Sequence, residues 1–321
     1  MSEPLITISK IGEKSYCLHN GTSASFAEQF FLAWFLEHDG IVIDKGEIAK
    51  ADAPAGGEYT FNFEHDLPET GIATLLLSVV TGCDSELSPR DREVACAQFV
   101  LSDVREKLTE ACEFPLRAEE TDSVFAVHSV AFAHAFAKDT LLPLQLVAEE
   151  RSLLAAPVTA VCGAHPIRIF KPTLRYSRTE AKLSALFAAL DGEKPVAAGE
   201  MYTYIYGNGD VVLDFRPDRE GDDVVLTIPL RPEFDYIEYF ACSEVSTVFG
   251  GTQDVLALSE GPAAADSALH RAARRIALSS GEVTLHIRPE EPTDFRMDSG
   301  KLTMRLSGHA RVKLSLENEL I

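Results

Sequence analysis

An all-β protein is what this sequence predicts: an immunoglobulin-like β-sandwich over residues 1–103, then a larger antiparallel β-sandwich (a supersandwich) with minor helix over 115–321. Three observations carry that expectation. Short apolar or alternating runs recur along the whole chain. The breaks between them hold Asp-Gly, Gly-Gly and Gly-Asn-Gly-Asp, which is turn chemistry. With 321 residues the chain is long enough for two hydrophobic cores.

In the first region Phe30–Glu37 is aromatic-rich and stops at His38-Asp39-Gly40, and Ile41-Val42-Ile43 resumes the strand. Asp-Gly between two apolar runs predicts a tight hairpin. Tyr59, Phe61 and Phe63 alternate with polar neighbours, the pattern of a half-buried strand. Leu75 to Val80 is almost wholly apolar, as a central strand would be, and Val94 to Leu101 closes the set. Six or seven strands in about a hundred residues predict the immunoglobulin-like arrangement. Asp103 to Phe114 carries no strand alternation and reads as a linker.

The second region opens with Val124–His128 and Val130–Phe136. Tyr202–Tyr206, Gly207-Asn208-Gly209-Asp210 and Val211–Phe215 predict a hairpin whose turn tolerates positive φ. Val224–Leu230, Asp235–Phe240 and Thr284–Ile287 add strands, and Lys301–Leu306 with Ala310–Leu316 a closing hairpin. Two helical interruptions are expected. One is Thr179–Leu190, from the spacing of Leu183, Leu186, Phe187 and Leu190; the other is Ala263–Leu278, rich in Ala and Arg.

Fifty acidic against 29 basic residues give a formal charge of −21 spread along the chain. Such a surface repels phosphate backbones and anionic lipid, so neither nucleic acid nor membrane is expected as a partner. The basic stretches Arg168–Arg178 and Arg271–Arg275 are too short to reverse this. No run approaches the ~20 apolar residues of a membrane span, and Met1-Ser2-Glu3-Pro4 does not begin a signal peptide. Cys17, Cys83, Cys96, Cys112, Cys162 and Cys242 are widely spaced, with no CxxC pair. They read as buried free thiols, and a cytoplasmic location is expected.

No motif announces catalysis. Gly207-Asn208-Gly209 lies between strands, and Phe249-Gly250-Gly251-Thr252 lacks the spacing of a nucleotide loop, so both read as turns. Gly-x-Ser-x-Gly, His-Glu-x-x-His and Walker patterns are absent from the chain, and its nine histidines show no metal-ligand spacing. No cofactor, metal or catalytic residue is assigned. Glycoside hydrolysis needs a pair of carboxylates. Fifty acidic residues offer too many pairs to select one.

Residues Ala33–Ile48, with Trp34, Asp39-Gly40 and Gly46, followed by Ala53–Gly57, resemble the fourth domain of glycoside hydrolase family 2 β-galactosidases. Leu75–Val80 and Val94–Leu101 fall where that domain's last two strands stand. Tyr204–Asp210 and Phe234–Phe240 are similar to strands of the family's fifth, small-chain domain, which here would be divergent and shortened. The family's Gly-x-Gly-Pro loop and Glu-Asn-Tyr are replaced by Ala241-Cys242-Ser243-Glu244-Val245-Ser246, and the only Trp lies in the first domain. Family catalysis uses two glutamates on a preceding (β/α)₈ barrel. The resemblance therefore implies a non-catalytic C-terminal portion or small subunit, with a barrel-bearing catalytic domain or large subunit as partner and a galactoside as ligand. A homo-oligomer is compatible with it.

The candidate substrate contacts are Glu244 and the period-two triplet Tyr202, Tyr204 and Tyr206, which share one face of a strand. Three readings stay open: the accessory portion of a β-galactosidase-like hydrolase, an independent carbohydrate-binding module, and an enzyme with a dispersed site. The alternative for the tyrosines is cross-strand packing.

Overall fold

The alternating runs become strands in the computed structural model, which describes residues 4–84, 89–105, 107–108, 114–148, 151–263 and 267–318. The chain divides into two compact units, Met1–Glu106 with Cys242–Leu258, and Lys107–Ala241 with Ser259–Ile321. Antiparallel pairing prevails among the described residues, and the class is all-β.

The first unit holds β1 (Ile6–Lys10), β2 (Ser15–Asn20), the four-residue helix α1 (Phe26–Gln29), β3 (Phe30–His38), β4 (Ile41–Glu47), β5 (Gly57–Asn62), β6 (Gly71–Thr81) and β7 (Glu93–Val104). Two sheets result, in the orders β1-β2-β5 and β4-β3-β6-β7. Leu18 and Phe61 from one and Leu32, Leu75 and Leu77 from the other belong to a single core, which makes the pair a sandwich. Asp39 and Gly40 have φ of 49° and 84°, and two consecutive positive values suit the tight turn joining β3 to β4. All seven residues of the edge strand β4 are exposed. Residues 242–258 are tied to this unit by hydrogen bonds from Phe249 N to Val94 O (2.8 Å) and from Leu5 N to Phe249 O (2.7 Å).

In the second unit a five-stranded sheet runs β12-β11-β10-β9-β8, formed by β8 (Arg117–Glu120), β9 (Val124–His128), β10 (Phe132–Ala137), β11 (Pro143–Ala148) and β12 (Arg151–Ser152). The larger sheet contains β13 (Thr159–Cys162), β14 (His165–Tyr176), β15 (Glu180–Asp191), β16 (Lys194–Tyr206), β17 (Val211–Pro217), β18 (Val224–Pro229), β19 (Tyr236–Thr247), β20 (Gly251–Pro262), β21 (Leu269–Ser279), β22 (Val283–Pro289), β23 (Thr293–Asp298), β24 (Lys301–Leu306) and β25 (Ala310–Asn318). Its order is β20-β19-β21-β22-β25-β17-β16-β15-β14-β13-β18-β24-β23. A further β21–β23 pairing closes it on itself, so eleven strands have no free edge between them. Inward residues such as Leu183, Phe187, Met201 and Phe215 join Phe125, Phe136 and Leu146 of the smaller sheet in one core.

The first expected helix is a strand, and so is the second from Leu269 onward. Over Thr179–Leu190 the apolar spacing imitates a helix, yet Ala181, Leu183, Phe187 and Ala189 are buried at period two while Leu186 is 48% exposed. Small alanines at inward positions hid the alternation. The neighbours β14 and β16 then satisfy the β15 backbone on both sides. Ala263–Leu278 contains β21, whose Ala- and Arg-rich composition favours a helix in isolation. Pairing with β22 and β23 overrides that preference, and the strand is interrupted at Ala272, with φ 49°. Residues 264–266 and Cys112 lie outside the described residues, as does much of the expected linker. Cys17, Cys96 and Cys162 are buried free thiols, and burial pushes the Cys96 pKa up to about 11. Among the described residues no helix is long and apolar enough to cross a membrane.

Candidate functional site

The β16–β17 hairpin builds the site. Its four-residue connection, Gly207–Asp210, sets a register in which Tyr202 faces Asp214 and Glu200 faces Arg216 across the strands. Inward, Met201, Thr203, Ile205, Leu213 and Phe215 are buried; outward point Glu200, Tyr202, Tyr204, Tyr206, Asp214 and Arg216. β25 continues the row, placing Arg311 opposite Asp214.

Asp214 is the centre. Its side chain is 1% exposed, and it accepts two hydrogen bonds from Arg216, from Nε at 3.0 Å and from Nη2 at 2.7 Å. His309 Nε2 lies 3.0 Å from its Oδ1, and Arg311 Nε lies 3.7 Å from its Oδ2. A carboxylate withdrawn from water is tolerated here because cations surround it. The pairing with Asp214 raises the Arg216 pKa above the ordinary guanidinium value. Arg216 Cζ also sits 4.7 Å from the Tyr202 ring centroid, and Lys182 Nζ lies 4.4 Å from the same centroid and 5.1 Å from that of Tyr204. The two tyrosine rings are 6.3 Å apart.

Arg216 is thus fixed by a bidentate carboxylate and an aromatic face while its side chain stays 42% exposed. With Nε and Nη2 engaged on Asp214, Nη1 is not committed to that carboxylate. Arg216 borders an open cleft of about 470 Å³ lined by Leu186, Ala198, Glu200, Arg216, Pro217 and Asp218. At the cleft floor Gly199 is required by close approach, since a Cβ there would meet the Arg216 carbonyl oxygen at 2.2 Å. The Tyr202 hydroxyl donates to Glu200 Oε2 at 2.7 Å, and that bond raises the tyrosine pKa. A second cleft, of about 240 Å³, is bordered by Arg311, but its Arg305 and Asp223 already pair with each other at 2.6 Å.

Of the residues expected from sequence, Tyr202 and Tyr204 join this cluster. Tyr206 stands at the end of β16 across from Glu180, half-buried. Glu244 is exposed on β19, in the first unit. Glu200, Asp214, Arg216, Lys182, His309 and Arg311 were missed. The tight turn at 207–209 was the available signal for three of them, since counting outward from Tyr206 opposite Asp210 pairs Tyr202 with Asp214 and Glu200 with Arg216. Among the described residues no group of three or more His, Cys, Asp or Glu side chains is arranged to hold a metal ion.

No protein family and no curated protein sequence matches the chain. Among solved structures it is similar to α-N-acetylgalactosaminidase NagBb from Bifidobacterium bifidum, with 15% identity over 61% of this chain and 36% of that one, at a TM-score of 0.39. It is also similar to galactose 1-epimerase from Lactobacillus acidophilus NCFM, with 8% identity, 63% and 98% coverage and a TM-score of 0.40. An Aspergillus nidulans amine oxidase aligns at 8% identity, 98% and 69% coverage and a TM-score of 0.30. The chain spans about a third of the length of the N-acetylgalactosaminidase. Likeness at these scores transfers neither a ligand nor a reaction.

Proposed function

We propose that this chain is a non-catalytic carbohydrate-binding β-sandwich protein that serves a glycoside hydrolase of the β-galactosidase type, whose chemistry resides on a barrel-bearing part. The observation that carries the binding role is Arg216, held rigid by Asp214 and Tyr202 at the edge of an open cleft. A pre-oriented guanidinium beside a carboxylate, Glu200, matches the adjacent hydroxyls of a sugar, and the apolar floor of Leu186 and Ala198 suits its C–H face.

Hydrolysis is disfavoured by the same geometry. A glycosidase needs one carboxyl kept protonated by a desolvated setting. Glu200 and Asp218, the two carboxylates of the cleft, are both exposed. The barrel-bearing partner follows from the family resemblance, and it is supported by Ile41, Val42 and Ile43, which stand 55%, 47% and 48% exposed on the edge strand β4.

Calorimetric titration with galactose and lactose tests the reading. Saccharide binding is expected, weakened by about tenfold or more in Arg216→Ala, the loss of a charge-assisted hydrogen bond. Absence of binding to either sugar, or cleavage of a chromogenic β-galactoside by the purified chain alone, overturns it.

A further inference from the structure

On the sheet face that carries Tyr202, Arg175 on β14 and Lys182 on β15 are direct cross-strand partners. Two like charges placed opposite each other on adjacent strands destabilise a sheet. The pairing is the more unexpected in a chain with 50 acidic and 29 basic residues, where carboxylates are abundant. Three basic side chains on nearby strands have found them: Arg216 pairs with Asp214 at 2.7 Å, Lys313 with Asp210 at 2.7 Å and Arg311 with Glu290 at 3.3 Å. Lys182 rests only on the rings of Tyr202 and Tyr204, and among the described residues neither it nor Arg175 has a carboxylate within ion-pair distance.

Toward the middle of the sheet the pair is followed by hydroxyls, while Glu180 stands one register step the other way on the face of Lys182 without reaching ion-pair distance. One register step away on the same face, Thr173 and Ser184 place their hydroxyls 2.7 Å apart, and Ser184 is the cross-strand partner of Tyr202. Lys182 is held in place by two aromatic faces, so its charge is positioned before any ligand arrives. Arg175 is exposed and has its fork of N–H groups unspent. Two uncompensated cations, flanked by hydroxyls and linked to the cleft-lining Arg216 through the Tyr202 ring that Lys182 shares with it, form an incomplete ion cluster whose missing member is an anion.

We infer that Arg175 and Lys182 form a carboxylate subsite and that the saccharide bound at this face is an acidic sugar, a uronic acid or a glycan ending in one. The inference rests on the carbohydrate-binding reading and narrows its ligand class. Galacturonate and galactose share their ring stereochemistry and differ in a carboxylate, so the pair isolates the subsite.

Titration of the full chain with each sugar in about 25 mM salt is expected to show galacturonate binding about tenfold more tightly than galactose. The preference should fall below about threefold in about 0.5 M salt, where screening removes an exposed charge interaction, and likewise in Arg175→Gln and Lys182→Gln. Arg175 is exposed, so its variant retains the fold. Equal affinity for both sugars in the unmodified chain overturns the acidic-ligand inference and leaves carbohydrate binding intact. Failure of both to bind removes the inference together with the reading beneath it. Displacement of galacturonate by inorganic sulfate at equal concentration also overturns it, because the subsite would then recognise an anion irrespective of the sugar.

Discussion

Two carboxylates drawn out of bulk water, one in each unit, are held in opposite ways. Glu37 in the first unit accepts hydrogen bonds from neutral donors, Thr74 Oγ1 at 2.8 Å and Gln98 Nε2 at 2.9 Å. Gln98 in turn brackets the backbone of Leu256, donating to its carbonyl at 2.8 Å and accepting from its N–H at 2.6 Å. Among the described residues no counter-ion is involved, and burial pushes the Glu37 pKa up. Asp214 in the second unit is surrounded instead by Arg216, His309 and Arg311. The difference teaches how a buried acid is used. Neutral donors exhaust themselves on the carboxylate and on the backbone they clamp, whereas a guanidinium has donors to spare and presents them to solvent.

The largest effect that follows is on stability. Asp214→Ala leaves two arginines and a histidine without their shared anion and is expected to cost about 3–5 kcal/mol, read from urea unfolding. Glu37→Ala leaves only neutral groups unsatisfied and should cost about 1–3 kcal/mol. Equal losses would break the comparison.

A second measurement sharpens it with a buried group that sheds its charge altogether. His134, 2% exposed, lies 2.9 Å from the Gly209 carbonyl through Nε2 and accepts from Val147 N through Nδ1 at 3.3 Å. Burial lowers its pKa from 6.5 to about 4. The unfolded chain therefore binds a proton that the folded chain refuses between these values, and stability falls as pH drops from about 6.5 to about 4. The loss attributable to His134 is about 3 kcal/mol, and a His134→Asn variant should lack that part of the slope in unfolding curves taken across this range. An unchanged slope would assign the acid sensitivity to other groups.

The smallest effect concerns Glu37→Gln. Because the folded pKa is raised, ionised Glu37 opposes folding above its titration range, and this cost disappears as pH falls through it. The amide, which keeps an acceptor for Thr74, is expected to gain up to about 1 kcal/mol at pH 7, with the gain vanishing near pH 4. A loss of stability at pH 7 would show that Thr74 and Gln98 need a full negative charge.

Much of this fold was legible residue by residue. The Asp39-Gly40 turn, the Tyr202–Phe215 hairpin and the strands β3 to β7 follow from apolar runs, period-two alternation and residues that accept positive φ, all local properties. The shared face of Tyr202 and Tyr204 was equally visible, since alternation is a property of the strand alone. The strands β15 and β21 were not, because alanine marks neither an inward nor an outward position, and its local preference is helical. Only hydrogen bonds from partners distant in sequence could make strands of them.

The same division runs through the site. Sequence by itself determined an all-β chain with an outward aromatic row and a strongly acidic composition. Tertiary structure decided that Arg311 from β25 and His309 just before it would meet Asp214 from β17, that Arg175 would stand opposite Lys182, and that residues 242–258 would join the first unit. Each of these depends on the register or pairing of strands far apart in the chain, set by the packing of whole sheets around a core, and no short stretch of sequence encodes it.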